Sequence, residues 1–418
     1  MIAPSTTAQH LPATRGQIFS WALFDFANTG FYVIIITLVF PIYFKNVIAG
    51  GSEAYWGRTI SFSMLLTALI GPVLGSVADA TNRKKFLLAF FSGACILATA
   101  LMYWTSGGTF WVAVALLIVA NVGFEGGTIF YDAFLPEITT EKNYGRVSGY
   151  GFAMGYLGSF AILLIVLPIL TNPAATLADT RMTFLIAAAF FAFFSLPMFY
   201  VVREYRVAGT LPKNLIRLGY TRVRETFRHV QEFSAVRKFL LAYFVYNDSI
   251  LTIIAFSGIF AEKTLGLSIG DLVYFFLIVQ GTAFIGSVVF GLITNRVGPR
   301  TSILITLALW IGIVGGEFFV QTKEMFFLLG AIAGVALGSS QSTSRTMMAL
   351  LTPKEKKAEF FGFYDGFFGK ASAVAGPLIF GELSGQFGER LAVLSIGLLF
   401  VLGFLLLLRV PEPAYNKG

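Results

Sequence analysis

Acidic and amide side chains interrupt several long apolar stretches of this sequence. Asp25 and Asn28 lie in "WALFDFANTGFYVIIITLVFPIYF" (21–44), and Asn121 and Glu125 lie in a later stretch. Spacings of three and four residues place both side chains of a pair on one face of a helix. A charge at the centre of a bilayer costs about 3 kcal/mol or more. Side chains kept there at that cost are candidates for binding a polar solute or a proton.

The composition indicates that the solvent around these stretches is lipid. Of the 418 residues, 56% are hydrophobic and 12% are charged, whereas a soluble domain has about 25% charged residues. The 45 phenylalanines and 43 glycines suit helices in a membrane, where small residues let two backbones approach closely. The chain is therefore expected to be a membrane protein.

Twelve apolar stretches are long enough to cross about 30 Å of hydrocarbon, which takes roughly 20 helical residues. Each is expected to be a helix, because unpaired backbone groups are not tolerated in lipid. The sequence thus predicts an all-α membrane protein with twelve transmembrane helices. The predicted spans are 19–44, 57–79, 86–104, 109–132, 147–170, 182–202, 237–260, 271–293, 301–320, 325–350, 359–383 and 389–409.

The basic residues indicate how these helices are oriented. The formal net charge is +8, and most of the 30 Lys and Arg residues fall in segments on one side if successive helices alternate in direction. This positive-inside bias predicts that both termini are cytoplasmic, and it explains the basic balance without a nucleic-acid partner. The basic residues on the other side are Lys45, Arg58, Arg181, Lys263, Lys323 and Arg390.

The N-terminal residues and the cysteine and histidine content argue against a signal peptide, a disulfide and a metal site. Residues 1–18 lack the apolar region of a signal peptide and the first span is too long to be one, so no cleaved targeting segment is expected. Cys95 is the single cysteine, so no internal disulfide can form. His10 and His229 both fall in predicted loops, so neither a metal site nor another cofactor is expected.

The twelve spans divide into two groups of six. The predicted units are an N-terminal tail (1–18), a six-helix bundle (19–202), a cytoplasmic linker (203–236), a second six-helix bundle (237–409) and a C-terminal tail (410–418). Apolar residues recur at helical spacing among the arginines of the linker, which predicts an amphipathic helix on the anionic membrane surface. They are Ile216, Val223, Phe227 and Val230. The alternative is a solvated basic linker.

The two halves resemble each other weakly in sequence. The stretch "GPVLGSVADATNRKK" (71–85) after the second span resembles "GSVVFGLITNRVGPR" (286–300) after the eighth. A parallel repeat of six plus six helices resembles the layout of the major facilitator superfamily, which implies a substrate site between the halves near mid-membrane. Three further residue pairs recur at one constant offset: Pro136 with Pro353, Gly145 with Gly362, and Gly149 with Gly366.

The first of these loops also resembles a signature of that superfamily, G-x-x-x-D followed by basic residues, at Gly75, Asp79 and Arg83. We expect Asp79 to meet a helix end or an arginine and Arg83 to anchor the turn. The loop would then latch one conformation of a two-state transporter. The alternative is that these charges only set the membrane topology.

Buried polar residues concentrate on four of the spans. They are Asp25 and Asn28 on the first, Asn121 and Glu125 on the fourth, Asn247 and Asp248 on the seventh, and Gln341 and Arg345 on the tenth. The superfamily resemblance implies that these four helices line a central cavity. The predicted substrate-binding residues are therefore Asn28, Asn121, Glu125, Asn247, Asp248, Gln341 and Arg345. The predicted gating or proton-coupling residues are Asp25, Asp79, Arg83, Glu125 and Asp248.

These assignments have structural alternatives. The amide side chains can form hydrogen bonds between helices without contacting a substrate. Asp25 can cap a broken helix, and Arg345 can simply neutralise an acid such as Glu125.

Other charged residues of the spans are expected to be structural. Asp132 and Glu137, at the end of the fourth span, are predicted to pair with Lys142 or Arg146 nearby in sequence. In the eleventh span, Asp365 and Lys370 can form a local pair, as can Glu359 with the adjoining lysines, whereas Glu317 in the ninth span has no evident role.

Several segments from both halves resemble the vacuole-effluxer branch of the superfamily. They are "WALFDFAN" (21–28), "FPIYF" (40–44), "FYDAFLPEI" (130–138), "SGYGFAMGYLGS" (148–159), "FLLAYFVYNDS" (239–249), "SR" (344–345), "AEFFGFY" (358–364) and "GP" (376–377). That family comprises fungal vacuolar amino-acid exporters and bacterial relatives, so the resemblance implies export of neutral amino acids. At Asp132 and Ser249 the sequence departs from the asparagine and glycine that the resemblance implies.

These observations predict a secondary active transporter that moves a small polar or zwitterionic solute by alternating access, with amino-acid efflux as the outcome the resemblance implies. Proton coupling is a hypothesis in which Glu125, near Arg345, carries the proton. Two alternatives remain: a transporter of lipids or amphiphiles with the same fold, and a non-transporting receptor. No H-E-x-x-H or P-loop motif is present, and an enzyme is not expected. A monomer in a bacterial inner membrane is expected.

Overall fold

A computed structural model gives the fold of the chain. It describes residues 14–50, 53–170, 176–204, 233–267, 269–353, 360–373 and 389–413, and the single residues 172, 174, 221, 380 and 383. Most of the predicted linker helix, the side chain of Asp79 and the second half of the eleventh span lie outside the described residues.

The described residues form helices joined by turns, and no strand occurs among them. Ten stretches of this part of the chain are long and apolar enough to cross a membrane. The chain is an all-α membrane protein, as predicted. The helices are numbered in chain order by the predicted spans in which they fall, and Ser234–Leu265 and Gly362–Ser372 fall in the predicted seventh and eleventh spans. They are α1 Arg15–Ile48, α2 Glu53–Thr81, α3 Lys84–Leu101, α4 Phe110–Ala133, α5 Tyr144–Leu170, α6 Leu177–Val201, α7 Ser234–Leu265, α8 Ile269–Val297, α9 Pro299–Phe318, α10 Lys323–Leu351, α11 Gly362–Gly369 continued by Lys370–Ser372, and α12 Glu389–Leu408.

The helices pack in two groups that follow the order of the chain. In the first half, α1 packs against α5 and α6, α4 packs against α2 and α3, and α3 packs against α6. In the second half, α10 packs against α7, α8 and α9, and α12 packs against α7 and α9. Aromatic pairs fill the spaces between these helices, such as Phe26 on Phe190 and Trp310 on Phe400. Part of the high phenylalanine content therefore serves helix packing.

The two bundles meet along α5, which packs against α8 and α10, and along α11, which packs against α2 and α4. At Gly149 of α5 an added Cβ would lie 2.5 Å from the carbonyl oxygen of Ser287 on α8, so only glycine fits. Beside it, the Ser148 hydroxyl donates to the carbonyl of Ser342 on α10 at 2.8 Å. These contacts lie toward the predicted cytoplasmic ends, because α5 begins and α8 ends on that side.

A carboxylate caps the start of α3 at the predicted cytoplasmic end of the first bundle. Glu204, just after α6, accepts a hydrogen bond from the backbone N–H of Lys84 at the start of α3, at 2.7 Å. Such a carboxylate satisfies a free N–H and interacts favourably with the helix dipole. Burial raises the pKa of Glu204, and the hydrogen bond from Lys84 opposes this rise. In return, the Lys85 ammonium donates to the carbonyl of Val202 beyond the end of α6, at 2.7 Å.

The second bundle repeats this arrangement. Glu412, just after α12, accepts a hydrogen bond from the backbone N–H of Arg300 in the first turn of α9, at 3.1 Å. The Arg300 guanidinium donates to the carbonyl of Leu408 at the end of α12, at 2.7 Å. The internal repeat seen in the sequence therefore has a counterpart in how the third and sixth helices of each half are joined.

Candidate functional site

A cavity of about 120 Å³ lies between the two bundles. Its walls come from α1, α4 and α5 of the first half and from α7, α10 and α11 of the second. The volume is below the roughly 300–1,000 Å³ of pockets that hold drug-sized ligands, so a small solute fits it better. Its charged and amide lining consists of Asp25, Asp132, Asp365, Arg345, Asn247 and Gln341. Predicted residues of the first, seventh and tenth spans thus meet at one void.

Arg345 projects from α10 into the first bundle and is 1% exposed. Its Nη1 donates to the carboxylate of Asp132 on α4 at 2.9 Å. Its Nη2 lies 3.4 Å from the carboxylate of Asp25 on α1. A buried guanidinium is tolerated only when it is paired and hydrogen-bonded. Arg345 therefore joins the second bundle to two helices of the first.

Aromatic rings of the first bundle enclose the same guanidinium. Its central carbon lies 3.8 Å from the ring centre of Phe152, 5.3 Å from that of Trp21 and 5.5 Å from that of Tyr131. Trp21 and Tyr131 stack with ring centres 4.6 Å apart. A cation over an aromatic face gains about 0.5–2 kcal/mol. The group formed by Asp25, Asp132, Trp21, Tyr131 and Phe152 is called the Arg345 socket below.

Local sequence features position the socket. The helix α4 ends at Ala133 and a short turn of helix with Pro136 follows, so Asp132 projects from the last turn of α4. On α5, an added Cβ at Gly151 would lie 2.9 Å from the Trp21 ring. Glycine at this position lets the backbone of α5 pack directly on the indole, which holds the ring beside the guanidinium.

A second cation bridges the bundles from α11. The ammonium of Lys370 lies 2.5 Å from the carboxylate of Glu125 on α4, and Glu125 is 2% exposed. The same ammonium lies 3.6 Å from Asp365 in its own helix, which confirms the predicted local pair. From Gly362 to Gly369 the helix is π-helical, and its wider turn brings residues five apart onto one face. Such π-helical stretches are frequent at functional sites.

The two cations share one charge pattern, since each faces two carboxylates. Arg345 faces Asp25 and Asp132, and Lys370 faces Glu125 and Asp365. With every group ionised, each set has one surplus negative charge, which is unfavourable in a low-dielectric interior. The surplus negative charge of each set therefore favours a cationic group of a ligand while the ion pair persists.

Neutral polar groups extend the contact around the cavity. Gln341 accepts a hydrogen bond from the hydroxyl of Tyr156 on α5 at 2.7 Å, which again joins the two bundles. Asn247 donates to the hydroxyl of Ser372 on α11 at 2.8 Å. Both amides thus make the helix-to-helix hydrogen bonds foreseen as an alternative, and both also line the cavity.

Other predicted binding residues do not line the cavity. Asn121 donates to the hydroxyl of Ser63 on α2 at 2.7 Å. This hydrogen bond joins two helices of the same bundle. Asn28 and Asp248 are each 3% exposed, buried in α1 and α7 outside the described lining residues. Among the described residues, Glu125 makes its ion pair with the second bundle through Lys370.

The predicted gate residues are spread over two places. Asp25 lies in the Arg345 socket. Arg83 is half-buried immediately before α3, in the loop after α2. Asp79 precedes it in α2, and its side chain lies outside the described residues.

The expected partnership of Arg345 with Glu125 is wrong. Arg345 pairs with Asp132 and Asp25, and Glu125 pairs with Lys370. Both acids lie on α4, and Asp132 is about two helical turns further along the helix than Glu125. Asp132 meets Arg345 on α10, whereas Glu125 meets Lys370 on α11. Which cation each acid meets depends on the docking of the bundles.

The expected pairing of Asp132 and Glu137 with basic residues of the following loop is also wrong. Asp132 faces the interface between the bundles and pairs with Arg345. Glu137 pairs with Lys84 at the start of α3, at 2.6 Å. Closeness in sequence was a poor guide here because both acids project sideways toward neighbouring helices.

Sequence reasoning did not identify the aromatic lining. Tyr131, Tyr243, Tyr246 and Tyr364 all line the cavity. A tyrosine in an apolar span carries a hydroxyl that needs a polar partner. The pair Tyr243 and Tyr246, three apart on α7 and next to Asn247, was the available signal.

The all-helical fold of two bundles with a polar cavity between them is the fold of the major facilitator class. The human organic anion transporter MFSD10 (TETRAN) has a similar solved structure, with a TM-score of 0.76 over 95% of this chain and 100% of that chain, at 14% identity. The proton:xylose symporter XylE has a TM-score of 0.71 over 95% of this chain and 96% of that chain, at 16% identity.

Within this class, the family model described as "Vacuole effluxer Atg22 like" matches residues 52–145 and 140–414, and the chain belongs to that family. The uncharacterized MFS-type transporter YxiO of Bacillus subtilis is 32% identical over 408 residues, which cover 94% of each chain. Autophagy-related protein 22 of Eremothecium gossypii is 24% identical over 437 residues, covering 89% of this chain and 86% of that protein. The predicted family is confirmed.

Proposed function

We propose that this transporter is a secondary active carrier that moves a small zwitterionic solute by alternating access. The observation that carries the proposal is the position of Arg345. This cation of one bundle is held by carboxylates and rings of the other, beside a cavity that both bundles line. A ligand that competes for these groups changes the equilibrium between two arrangements of the bundles.

The inner gate in this proposal is formed by contacts between the bundles toward their predicted cytoplasmic ends. They include the Arg345 socket, the hydrogen bond from Ser148 to Ser342, and the close approach of α5 and α8 at Gly149. Opening a path to the cytoplasm requires these contacts to separate. Asp25 belongs to this gate, and the loop with Asp79 and Arg83 supports it from the membrane surface.

The charge of the cavity favours a solute that carries an ammonium group. Asp25, Asp132 and Asp365 line it, and Arg345 is the one cation among the described lining residues. An ammonium group fits beside the surplus carboxylate and the tyrosine rings. Asp132 stands where the family resemblance implies asparagine, so part of this surplus charge distinguishes this chain.

The other end of a zwitterion fits Arg345. A solute carboxylate can replace Asp25 or Asp132 on the planar guanidinium, which binds carboxylates through two hydrogen bonds. Asn247 and Gln341 then contact the solute from α7 and α10, with Asn28 and Asp248 in supporting positions. The cavity of about 120 Å³ suits a small neutral amino acid, and the family description of vacuole effluxers supports the efflux direction.

The surplus carboxylates provide places for a coupled proton. Protonation of Glu125 would leave Lys370 in a neutral one-to-one pair with Asp365, whereas loss of the proton restores the repulsion between the two acids. We assign the proton to Glu125, with Lys370 rather than Arg345 as its cation.

The protein acts as a monomer in a bacterial inner membrane, with both termini in the cytoplasm.

Solute counterflow in proteoliposomes tests the proposal. A thermal-shift screen of the purified protein against a metabolite library at several pH values first selects solutes. Vesicles preloaded with an unlabelled solute are then expected to accumulate the labelled one. Arg345→Gln should abolish the accumulation, and Arg237→Gln, an exposed residue at the start of α7, should not. Zwitterions that stabilise the protein but show no counterflow would point to a receptor instead.

Two further outcomes separate the remaining alternatives. Stabilisation by lipids or amphiphiles, with no response to any zwitterion, would replace the proposal with a lipid transporter of the same fold. For the proton, uptake driven by an imposed pH gradient is expected to lose that dependence in Glu125→Gln. An unchanged response would remove Glu125 from the coupling role and leave the carrier proposal intact.

A further inference from the structure

A second groove lies between the bundles at the predicted cytoplasmic ends of α5 and α8, apart from the central cavity. Its volume is about 240 Å³. Its lining comes from both bundles: Lys142, Asn143 and Arg146 from the first, and Leu292, Asn295 and Arg296 from the second. Because the two walls belong to different bundles, the groove exists only while α5 and α8 stay together at this end.

Three basic residues that line this groove have no acidic partner among the described residues. Lys142, Arg146 and Arg296 are exposed, and within the described part of the chain no carboxylate lies within the 4.0 Å of an ion pair from any of them. Glu141 is the nearest acid in sequence and is not among the lining residues. Like charges gathered around one groove repel each other, so an anion between them is stabilised.

Exposed apolar side chains continue from the groove along both helices into the membrane. On α8, Leu292, Val289 and Ile285 share one face and are 47%, 42% and 54% exposed. On α5, Tyr150 and Leu157 share one face below the groove and are 40% and 42% exposed. Their spacings of three and four residues on α8 and of seven on α5 keep each set on one face of its helix. Basic residues above such stripes match a ligand with an anionic head and apolar chains.

We propose that this groove binds an anionic phospholipid of the cytoplasmic leaflet. Its phosphate lies among Lys142, Arg146 and Arg296, where Asn143 and Asn295 supply further polar contacts, and its acyl chains lie along the apolar stripes of α5 and α8. Basic residues near the bilayer surface bind anionic lipids in this way. Since the phosphate contacts both bundles, the bound lipid favours the arrangement in which their cytoplasmic ends are closed.

The expected strength follows from the number of charges. Each basic residue near an anionic surface strengthens binding by about fivefold. Removing all three should therefore raise the amount of anionic lipid needed for half-maximal effect by roughly 100-fold.

Purified full-length protein in nanodiscs tests the proposal. The discs contain phosphatidylcholine alone or with phosphatidylglycerol, and the readout is the melting temperature. K142Q/R146Q/R296Q is compared with R237Q/K238Q/R409Q, which removes three exposed basic residues from the same predicted face. Phosphatidylglycerol should raise the melting temperature of the wild type and of the control variant, and much less that of the groove variant. An equal response of both triple variants would overturn the proposal.

Two further measurements test the source of the phosphate and its effect. Inorganic phosphate added to discs of phosphatidylcholine should leave the melting temperature unchanged. If it reproduces the shift, the groove binds a free anion and the lipid assignment is wrong. Spin labels at Glu141→Cys and Val297→Cys, in a Cys95→Ser background, report the distance between α5 and α8. Phosphatidylglycerol should increase the short-distance population, and an unchanged distribution would contradict the bridging role.

Discussion

Arg345 and Asp132 form an ion pair of 2.9 Å although 213 residues separate them in the chain. Their side chains are 1% and 6% exposed, and they join α10 of the second bundle to α4 of the first. Removing one partner of a buried pair costs about 3–5 kcal/mol, because the other charge stays buried without compensation. Substitutions at this pair therefore report how the two bundles hold each other.

Arg345→Gln is expected to lower the melting temperature and to abolish counterflow. The change leaves Asp25 and Asp132 buried together without a cation, and their repulsion favours separation of the bundles. Adding Asp132→Asn removes one of the two facing charges, so the double variant Arg345→Gln/Asp132→Asn should recover part of the melting temperature. Arg345→Lys keeps the charge and should retain part of the stability. No recovery in the double variant would show that repulsion is not the cause of the loss.

Lys370→Met is expected to destabilise the protein more than Glu125→Gln. The first change leaves two carboxylates facing each other, whereas the second leaves Lys370 paired with Asp365. Melting temperatures of both single variants and of the double variant form a cycle that isolates their interaction. The double variant should be more stable than the sum of the single effects implies. Simple additivity would mean that the two side chains do not interact.

Gly149→Ala is expected to impair transport by keeping α5 and α8 apart. The added Cβ would lie 2.5 Å from the carbonyl oxygen of Ser287, so the backbones must move apart. Gly281→Ala on α8 is the matched control, because an added Cβ there meets no atom within 4 Å. Counterflow should fall strongly in the first variant and persist in the second. Equal activity of the two variants would show that this close approach is not needed for transport.

Glu204→Ala and Glu412→Ala are each expected to cost about 0.5–2 kcal/mol of stability, since each removes a carboxylate that caps a helix. The two sites lie in different bundles, so their effects should add in the double variant. Chemical unfolding in detergent measures both. Glu204→Gln keeps an acceptor oxygen and should cost less than Glu204→Ala. No loss in either alanine variant would show that these caps do not hold the helix ends.

The helical spans and the polar positions within them follow from the sequence because lipid imposes strong local rules. A charged or amide residue in an apolar helix has to face protein or water, and this placed Asp25, Asn247, Gln341 and Arg345 at the cavity. The same reasoning placed Asn121 there, but its amide meets Ser63 within one bundle. Contact with any polar neighbour keeps such a residue away from lipid. The sequence therefore predicts that a polar contact exists but not which residue provides it.

The sequence alone determined that the chain is a membrane protein of paired helical bundles and that certain polar groups must turn away from lipid, since hydropathy and helical periodicity act over a few turns. Only the tertiary structure decided that Arg345 meets Asp132 and Asp25, that Lys370 meets Glu125, and that Glu137 meets Lys84. These partners lie on different helices, and the relative height and rotation of packed helices set each pairing. No local pattern carries that information, because an ion pair depends on distance in space rather than on distance along the chain.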